Sequence, residues 1–236
     1  MTITLRVGTA NIRNTPDLPR AQVREAARVC GKRADLVGFQ EIAERADRLD
    51  VRVGLGESWR ATPLTNTTED PIHYRIDLVH LMAEDEVPGG FQPSGAKLAH
   101  HGMAHVSPDR YTTWGMFRAA NDPKIQFAVV NLHTVSKPTD PGASHHKWRE
   151  EMWHIHYSKF AAMVNGFNDA GLTVLAVGDF NRLDVPKTDR DMRWAWKSGI
   201  DKIGILKGKT PVSLIRVASY DTPSDHNLRV AKVALG

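Results

Sequence analysis

The 236-residue chain has a single cysteine, Cys30. A disulfide within the chain is therefore impossible and a structural zinc site built on thiolates is excluded, which fits a reducing compartment. Long apolar runs are also missing, and the mean hydropathy is −0.38, which rules out a membrane-spanning helix. The opening MTITLRVGTANIRN shows neither the basic leader nor the small-residue cleavage site of a secretory signal, so the expected location is cytoplasmic, away from membranes. No linker rich in Pro, Gly, Ser or charge, no internal repeat and no low-complexity tract divides the chain, and one domain over 1–236 is expected. Charge of one sign is scarce as well. The formal net charge is +4, mildly receptive to polyanions but short of the clustered basic face of a dedicated nucleic-acid binder.

What is present is an alternation of short apolar strands with two helical patterns. Residues 2–10 read as a strand, 19–30 as a helix stopped by Gly31, and 35–40 as a buried strand. Further strands are predicted at 76–83, 112–118, 126–134, 173–178, 200–206, 212–217 and Leu228–Leu235. The longest predicted helix covers 145–167, where Trp148, Met152, Ile155, Phe160 and Met163 repeat at helical spacing. Two strand groups that each carry a helix suit two sheets packed face to face with helices outside.

The polar residues that end these strands are not scattered. Asn11 ends the first strand, Glu41 the second, His133 the 127–132 run, and Asp179 and Asn181 the 174–177 run. Asp201 edges the 200–206 strand, and Asp225 and His226 precede the last one. Carboxylates, an amide and imidazoles at the ends of buried strands are costly to desolvate unless they pair or hold a metal, so their convergence on one sheet edge would mark a site. Hard oxygen donors with few soft ones favour Mg²⁺, Mn²⁺ or Ca²⁺ over structural zinc.

On these residues the chain resembles the endonuclease/exonuclease/phosphatase superfamily. The resemblance runs through nearly the whole chain in order: ANIR around Asn11, DLVGFQE ending in Glu41, FAVVNLH ending in His133, VLAVGDFN with Asp179 and Asn181, GIDKIGI with Asp201, and SDH with Asp225 and His226. A single tetrapeptide such as GDFN is a modest signal, whereas six motifs in order are strong. The resemblance implies a four-layer α/β sandwich of two mixed sheets with outer helices. It implies that Glu41 is the principal metal ligand with Asn11 in support, that Asp225 lies close to the metal, and that Asp179 and Asn181 organise the nucleophilic water and the phosphate. It further implies that Asp201 holds His226 and that His133 faces the same phosphate. In deoxyribonuclease-like members a carboxylate on the preceding strand orients that histidine. Here Tyr74 aligns with it, and Glu69, Asp70 and Asp77 are open substitutes.

The implied activity is divalent-metal-dependent hydrolysis of nucleic acid, with DNA as the partner and Mg²⁺ as the cofactor. A small-molecule or lipid phosphoesterase and a catalytically silent scaffold are the alternatives. Arg182, directly after Asn181, is the expected phosphate contact. Trp194 and Trp196 interleave with Arg190, Arg193 and Lys197, a pattern for base stacking or for a short helix packed on the sheet. Cys30 is expected in the core, and His100, His101, His105, His145, His146, His154 and His156 in solvent.

Overall fold

The protein is described by a computed structural model, covering residues 1–12, 19–64, 69–103, 105–186, 188 and 190–236. Arg13 of the ANIR motif lies outside the described residues. One sheet is ordered β12-β13-β1-β2-β4-β3, from Val212–Tyr220, Leu228–Leu235, Ile3–Asn11, Leu36–Gln40, Ile72–Arg75 and Trp59–Ala61. The other is ordered β10-β11-β9-β8-β7-β5, from Arg193–Trp196, Asp201–Leu206, Thr173–Asp179, Gln126–His133, Arg110–Ala119 and Val79–Leu81; β6 (Ser94–His100) shares the β7 edge with β5. Pairing is parallel for β1 with β2 and for β8 with β9, and antiparallel elsewhere.

Strand alternation builds three apolar layers. Leu5 and Val7 of β1, Phe127 and Val129 of β8, and Leu175 and Val177 of β9 meet between the sheets. The intervening residues point outward. Ala128, Val130 and Leu132 pack on Trp153, Phe160 and Val164 of α3 (His146–Asp169). On the other side Ala10, Val37 and Phe39 pack on Val23, Ala27 and Cys30 of α1 (Arg20–Arg33) and Val51 of α2 (Arg45–Leu55). A fully buried aromatic such as Phe127 contributes about 1.5–3 kcal/mol by leaving water. The layers run α/β/β/α, the expected sandwich. Among the described residues no helix is long and apolar enough to cross a membrane.

The expected elements recur with shifted ends, and the 76–83 strand is corrected. Only Val79–Leu81 is extended there, after a separate β4 at Ile72–Arg75, because residues 76–78 form a turn closed by Leu78 N–H to Arg75 O at 3.2 Å. Helix α2 was not expected, since its stripe includes two acids. Buried Asp50 accepts from Arg20 Nε at 2.7 Å and Arg24 Nη2 at 2.6 Å, tying α2 to α1.

Candidate active site at the strand ends

The face that lies between the sheets changes from apolar to polar along each central strand. In β1 it runs Leu5, Val7, Thr9, Asn11; in β8, Phe127, Val129, Asn131, His133; in β9, Leu175, Val177, Asp179. A period of two keeps these side chains on one face, so the same geometry that fills the core delivers the polar groups to its rim. Just beneath them, Gln40 Nε2 donates to Asn131 Oδ1 at 2.7 Å and Thr9 Oγ1 donates to Gln40 Oε1 at 3.2 Å. The Gln40–Asn131 bond joins the two sheets directly under the site, and the Thr9 bond fixes the Gln40 amide within its own sheet.

Asn11 links the first two carboxylates. Its Nδ2 donates to Glu41 Oε1 at 3.2 Å and to Asp179 Oδ2 at 3.0 Å. Its Oδ1 is buried with no hydrogen-bond partner, which is costly for an amide oxygen unless something electropositive is placed there. Glu41 follows β2 at φ 64, a sparsely populated backbone state of the kind that functional sites hold.

The GDFN segment is explained residue by residue. Gly178 has φ 149, and a Cβ there would meet Leu132 O at 2.2 Å, so a side chain is excluded. Asp179 then turns inward. Phe180 turns outward into the α3 layer, where its carbonyl accepts from Trp153 Nε1 at 2.7 Å. Asn181, at φ 50, donates its backbone N–H to Asp179 Oδ1 at 2.8 Å and its Nδ2 to Thr134 O at 3.1 Å. Both Asp179 oxygens are thereby fixed.

Two histidines face this carboxylate, each held by an acid. His226 Nδ1 lies 3.1 Å from both oxygens of Asp201, and Asp201 sits opposite Asp179 in the β9–β11 register. Burial alone would lower the His226 pKa, but the Asp201 hydrogen bond and the charges of Asp201, Asp179 and Asp225 outweigh it and raise it to about 9. One ligand atom each from Asp179, Asp201 and His226 lies within 4.8 Å of the others. His133 Nε2 lies 3.7 Å from Glu41 Oε1 and 3.9 Å from Asp179 Oδ2.

Glu69 is the acid that holds His133, accepting from Nδ1 at 3.0 Å. Tyr74 instead packs edge-on against Phe117 in the core, Asp77 binds Arg75, and both oxygens of buried Asp70 have no hydrogen-bond partner. Burial and the neighbouring charge of Glu69 push the Asp70 carboxyl well above the usual range, toward its neutral form. Arg110 was not anticipated. Its Nη1 donates to the same Glu69 oxygen and lies 3.1 Å from His133 Nδ1. Burial would raise the Glu69 pKa, but the bond from His133 and the charge of Arg110 hold it below the ordinary value. No sequence motif announces Arg110, which stands on the neighbouring strand with only a basic side chain to mark it.

Asp225 is exposed, beside Ser224, whose Oγ donates to Asn11 O at 2.9 Å and lies 3.4 Å from Asp225 Oδ1. Arg182 is engaged within the fold. Its Nε and Nη2 donate to Asp184 at 3.0 and 3.3 Å, its guanidinium lies 4.7 Å over Trp153, and its side chain is 14% exposed. Trp194 and Trp196 belong to a strand, β10, rather than a helix. Trp194 meets Phe180 edge-on and Trp196 stacks on Arg229. Of the histidines expected in solvent, His156 is buried, with Nε2 3.1 Å from Thr112 Oγ1, and His101 sits 3.3 Å from Asp109.

The residues present fit a divalent cation. Glu41 is 30% exposed and so accessible, Asn11 offers an unpartnered oxygen, and Asp179 and Asp225 add negative charge. All the donors are hard. The Glu69, Asp70 and His133 group differs in already holding the Arg110 guanidinium.

No protein-family model matches the sequence, and no curated protein matches it. Solved structures do match over nearly the full length. An endonuclease/exonuclease/phosphatase from Bacteroides vulgatus superposes with a TM-score of 0.73 at 18% identity, covering 99% of this chain and 100% of that one. A mannosyl-6-phosphatase from Bacteroides thetaiotaomicron gives 0.68 at 17% identity, covering 97% and 99%. TDP2 from D. rerio, solved with a single-stranded DNA product, gives 0.69 at 12% identity, covering 98% of each chain. The chain therefore has the DNase I-like sandwich fold of the endonuclease/exonuclease/phosphatase superfamily.

Proposed function

We propose that the protein is a divalent-metal-dependent phosphoesterase, with Mg²⁺ as its cation, and that it hydrolyses phosphodiesters of nucleic acid, DNA above all. The observation that carries the hydrolase reading is the Asn11 side chain, which bonds Glu41 and Asp179 through one end and leaves a buried oxygen without a partner at the other. Glu41, Asn11 and Asp225 would hold the cation. A cation held there would supply positive charge against the phosphate oxygens and the departing alkoxide, the largest expected share of the rate gain.

The chain's own residues supply the rest. With its pKa near 9, His226 is an imidazolium at neutral pH; Nδ1–H is committed to Asp201, and Nε2–H donates to a phosphate oxygen. Asp179, fixed by Asn11 and Asn181, orients the attacking water and accepts its proton. His133, held through Nδ1 by Glu69, presents Nε2 to the same phosphate. The mild basic balance supports a polyanionic substrate. The likeness to a mannosyl-6-phosphatase supports a second reading, a small phosphoester.

Plasmid and labelled-oligonucleotide cleavage beside a panel of sugar phosphates, inositol phosphates and simple phosphodiesters tests both, in Mg²⁺, Mn²⁺ or EDTA. Cleavage of DNA that stops in EDTA is expected. Turnover that survives exhaustive chelation would sink the metal assignment. Glu41→Gln is expected to weaken Mg²⁺ binding in calorimetry, and Asp179→Asn to lower turnover roughly 10²-fold with the fold intact by circular dichroism.

A further inference from the structure

Lys202 follows Asp201 in β11 but faces the other way. Asp201, Ile203 and Ile205 share one face of the strand with the core between the sheets, which leaves Lys202 on the outer side with Leu206. The residue is only 2% exposed. A lysine this buried is costly unless every ammonium proton is bonded. Here each one is. Nζ donates to Leu183 O at 2.7 Å, to Lys197 O at 2.7 Å and to Gly199 O at 2.6 Å.

Those three carbonyls belong to two separate segments. Leu183 lies in the loop that leaves β9 after Asp179 and Asn181. Lys197 and Gly199 lie in the turn that leads into Asp201. One backbone bond also joins the segments, Phe180 N–H to Ile200 O at 3.0 Å. We infer that Lys202 is a positioning residue of this site, its buried ammonium clamping the 181–183 loop to the 197–199 turn so that Asp179, Asn181 and Asp201 keep their spacing. Its kinetic consequence depends on the phosphoesterase reading above; the clamp itself does not.

Charge-assisted bonds to carbonyls are among the stronger hydrogen bonds, and three of them on one group fix both segments at once. Loss of the clamp would leave the segments joined, among the described residues, by the Phe180 bond and by the last pair of the β9–β11 ladder, Asp179 with Asp201. Angstrom-scale looseness between Asp179 and the Asp201–His226 pair lowers turnover while leaving phosphate binding largely intact. A lysine that merely filled space would show neither effect.

Lys202→Met keeps the stem volume and removes the donors. Amide hydrogen exchange of the full chain, followed by mass spectrometry without substrate, is expected to quicken about tenfold in both 181–185 and 197–200, with β1 and β8 unchanged. With whichever phosphoester the wild type turns over, kcat is expected to fall about tenfold with KM within about twofold. Unchanged exchange in the two segments, or faster exchange with unchanged kcat, would overturn the inference. A wild type that hydrolyses nothing would sink the phosphoesterase reading while exchange still decides the clamp. If Lys202→Met fails to fold, Gly199→Ala takes its place in both measurements. At φ +74 with open space around its Cβ, it perturbs only the turn. With the clamp intact, faster exchange should spread to 181–185, and a rise confined to 197–200 would again overturn it.

Discussion

His226 and Asp201 are joined by the imidazole Nδ1 standing 3.1 Å from each carboxylate oxygen. The contact fixes the ring and favours its charged form, since Asp201 is reinforced by the charges of Asp179 and Asp225 against the cost of burial. A pKa raised to about 9 in the folded state, against about 6.5 unfolded, means that the pair contributes stability fully below pH 6.5 and loses it as pH rises through 9. Nuclear magnetic resonance titration of the ring in the metal-free protein should show that midpoint near 9, and Asp201→Asn should bring it down toward the ordinary histidine value. An unmoved midpoint would remove Asp201 as the cause. Turnover in Asp201→Asn should fall as well, though less than in His226→Ala, because the ring is still present.

The Glu69–His133–Arg110 cluster separates two readings of the sequence. Glu69→Gln keeps the shape of the side chain but removes the charge that holds His133 and Arg110 together, so turnover should drop roughly 10²-fold. Tyr74→Phe, in the core beside Phe117, should leave turnover near the wild-type rate. Steady-state kinetics on both variants checks the contrast, and the reverse order of effects would restore Tyr74 as the partner of His133.

Much of this site could be read in advance because its residues obey the strand period. Asn11, His133 and Asp179 continue the same alternation that buries Leu5, Val129 and Leu175, so placing the strands also placed their rims. Arg110 escaped because it meets His133 only across the β7–β8 edge, and nothing near it in sequence records that pairing. β4 escaped because His73 and Arg75 interrupt a four-residue strand, and α2 because Asp47 and Asp50 occupy buried positions of its stripe. The tryptophans after GDFN looked helical or free to stack on bases. Their real partners are Phe180 of GDFN itself, just past the end of β9, and Arg229 of β13, and spacing alone records neither contact.

Two buried imidazoles, together with the ion-paired carboxylates Asp50 and Glu69, make the fold less stable in acid. Burial lowers the His73 pKa to about 4, and burial together with the charge of Arg110 lowers that of His156 to about 3. Each is neutral in the fold but takes up a proton on unfolding below pH 6.5. Their contribution is thus complete above pH 6.5 and erodes as pH falls toward those values. His156→Gln removes one such proton. Between pH 6 and 4.5 its urea-unfolding free energy should fall less steeply than that of the wild type, by about 1.4 kcal/mol per pH unit. Parallel slopes would show that His156 is protonated within the fold.

Substrate class has its own signature in salt. A DNA duplex held over several phosphates releases counterions from each, so affinity falls steeply as salt rises, with a slope that grows with the number of contacts. The basic side chains that follow GDFN differ in their freedom and their distance from the site. Arg182 is bound to Asp184 and stacked on Trp153, with only Nη1 left unpartnered. Arg193, exposed at the start of β10, pairs with Ile205, at the end of β11 away from Asp201. Arg193→Ala should therefore flatten the salt slope by about one phosphate contact only for a duplex long enough to run from the site along β10, and leave a short oligonucleotide unaffected. Arg182→Ala should also lower the melting temperature, because the Asp184 and Trp153 contacts go with it. Trp194→Ala should act on stability rather than on single-stranded substrate, since the ring is already engaged by Phe180. Binding followed by fluorescence anisotropy from low to physiological salt decides the matter. A flat salt response, with higher catalytic efficiency on a sugar phosphate than on duplex DNA, would overturn the nuclease reading and leave the metal site standing.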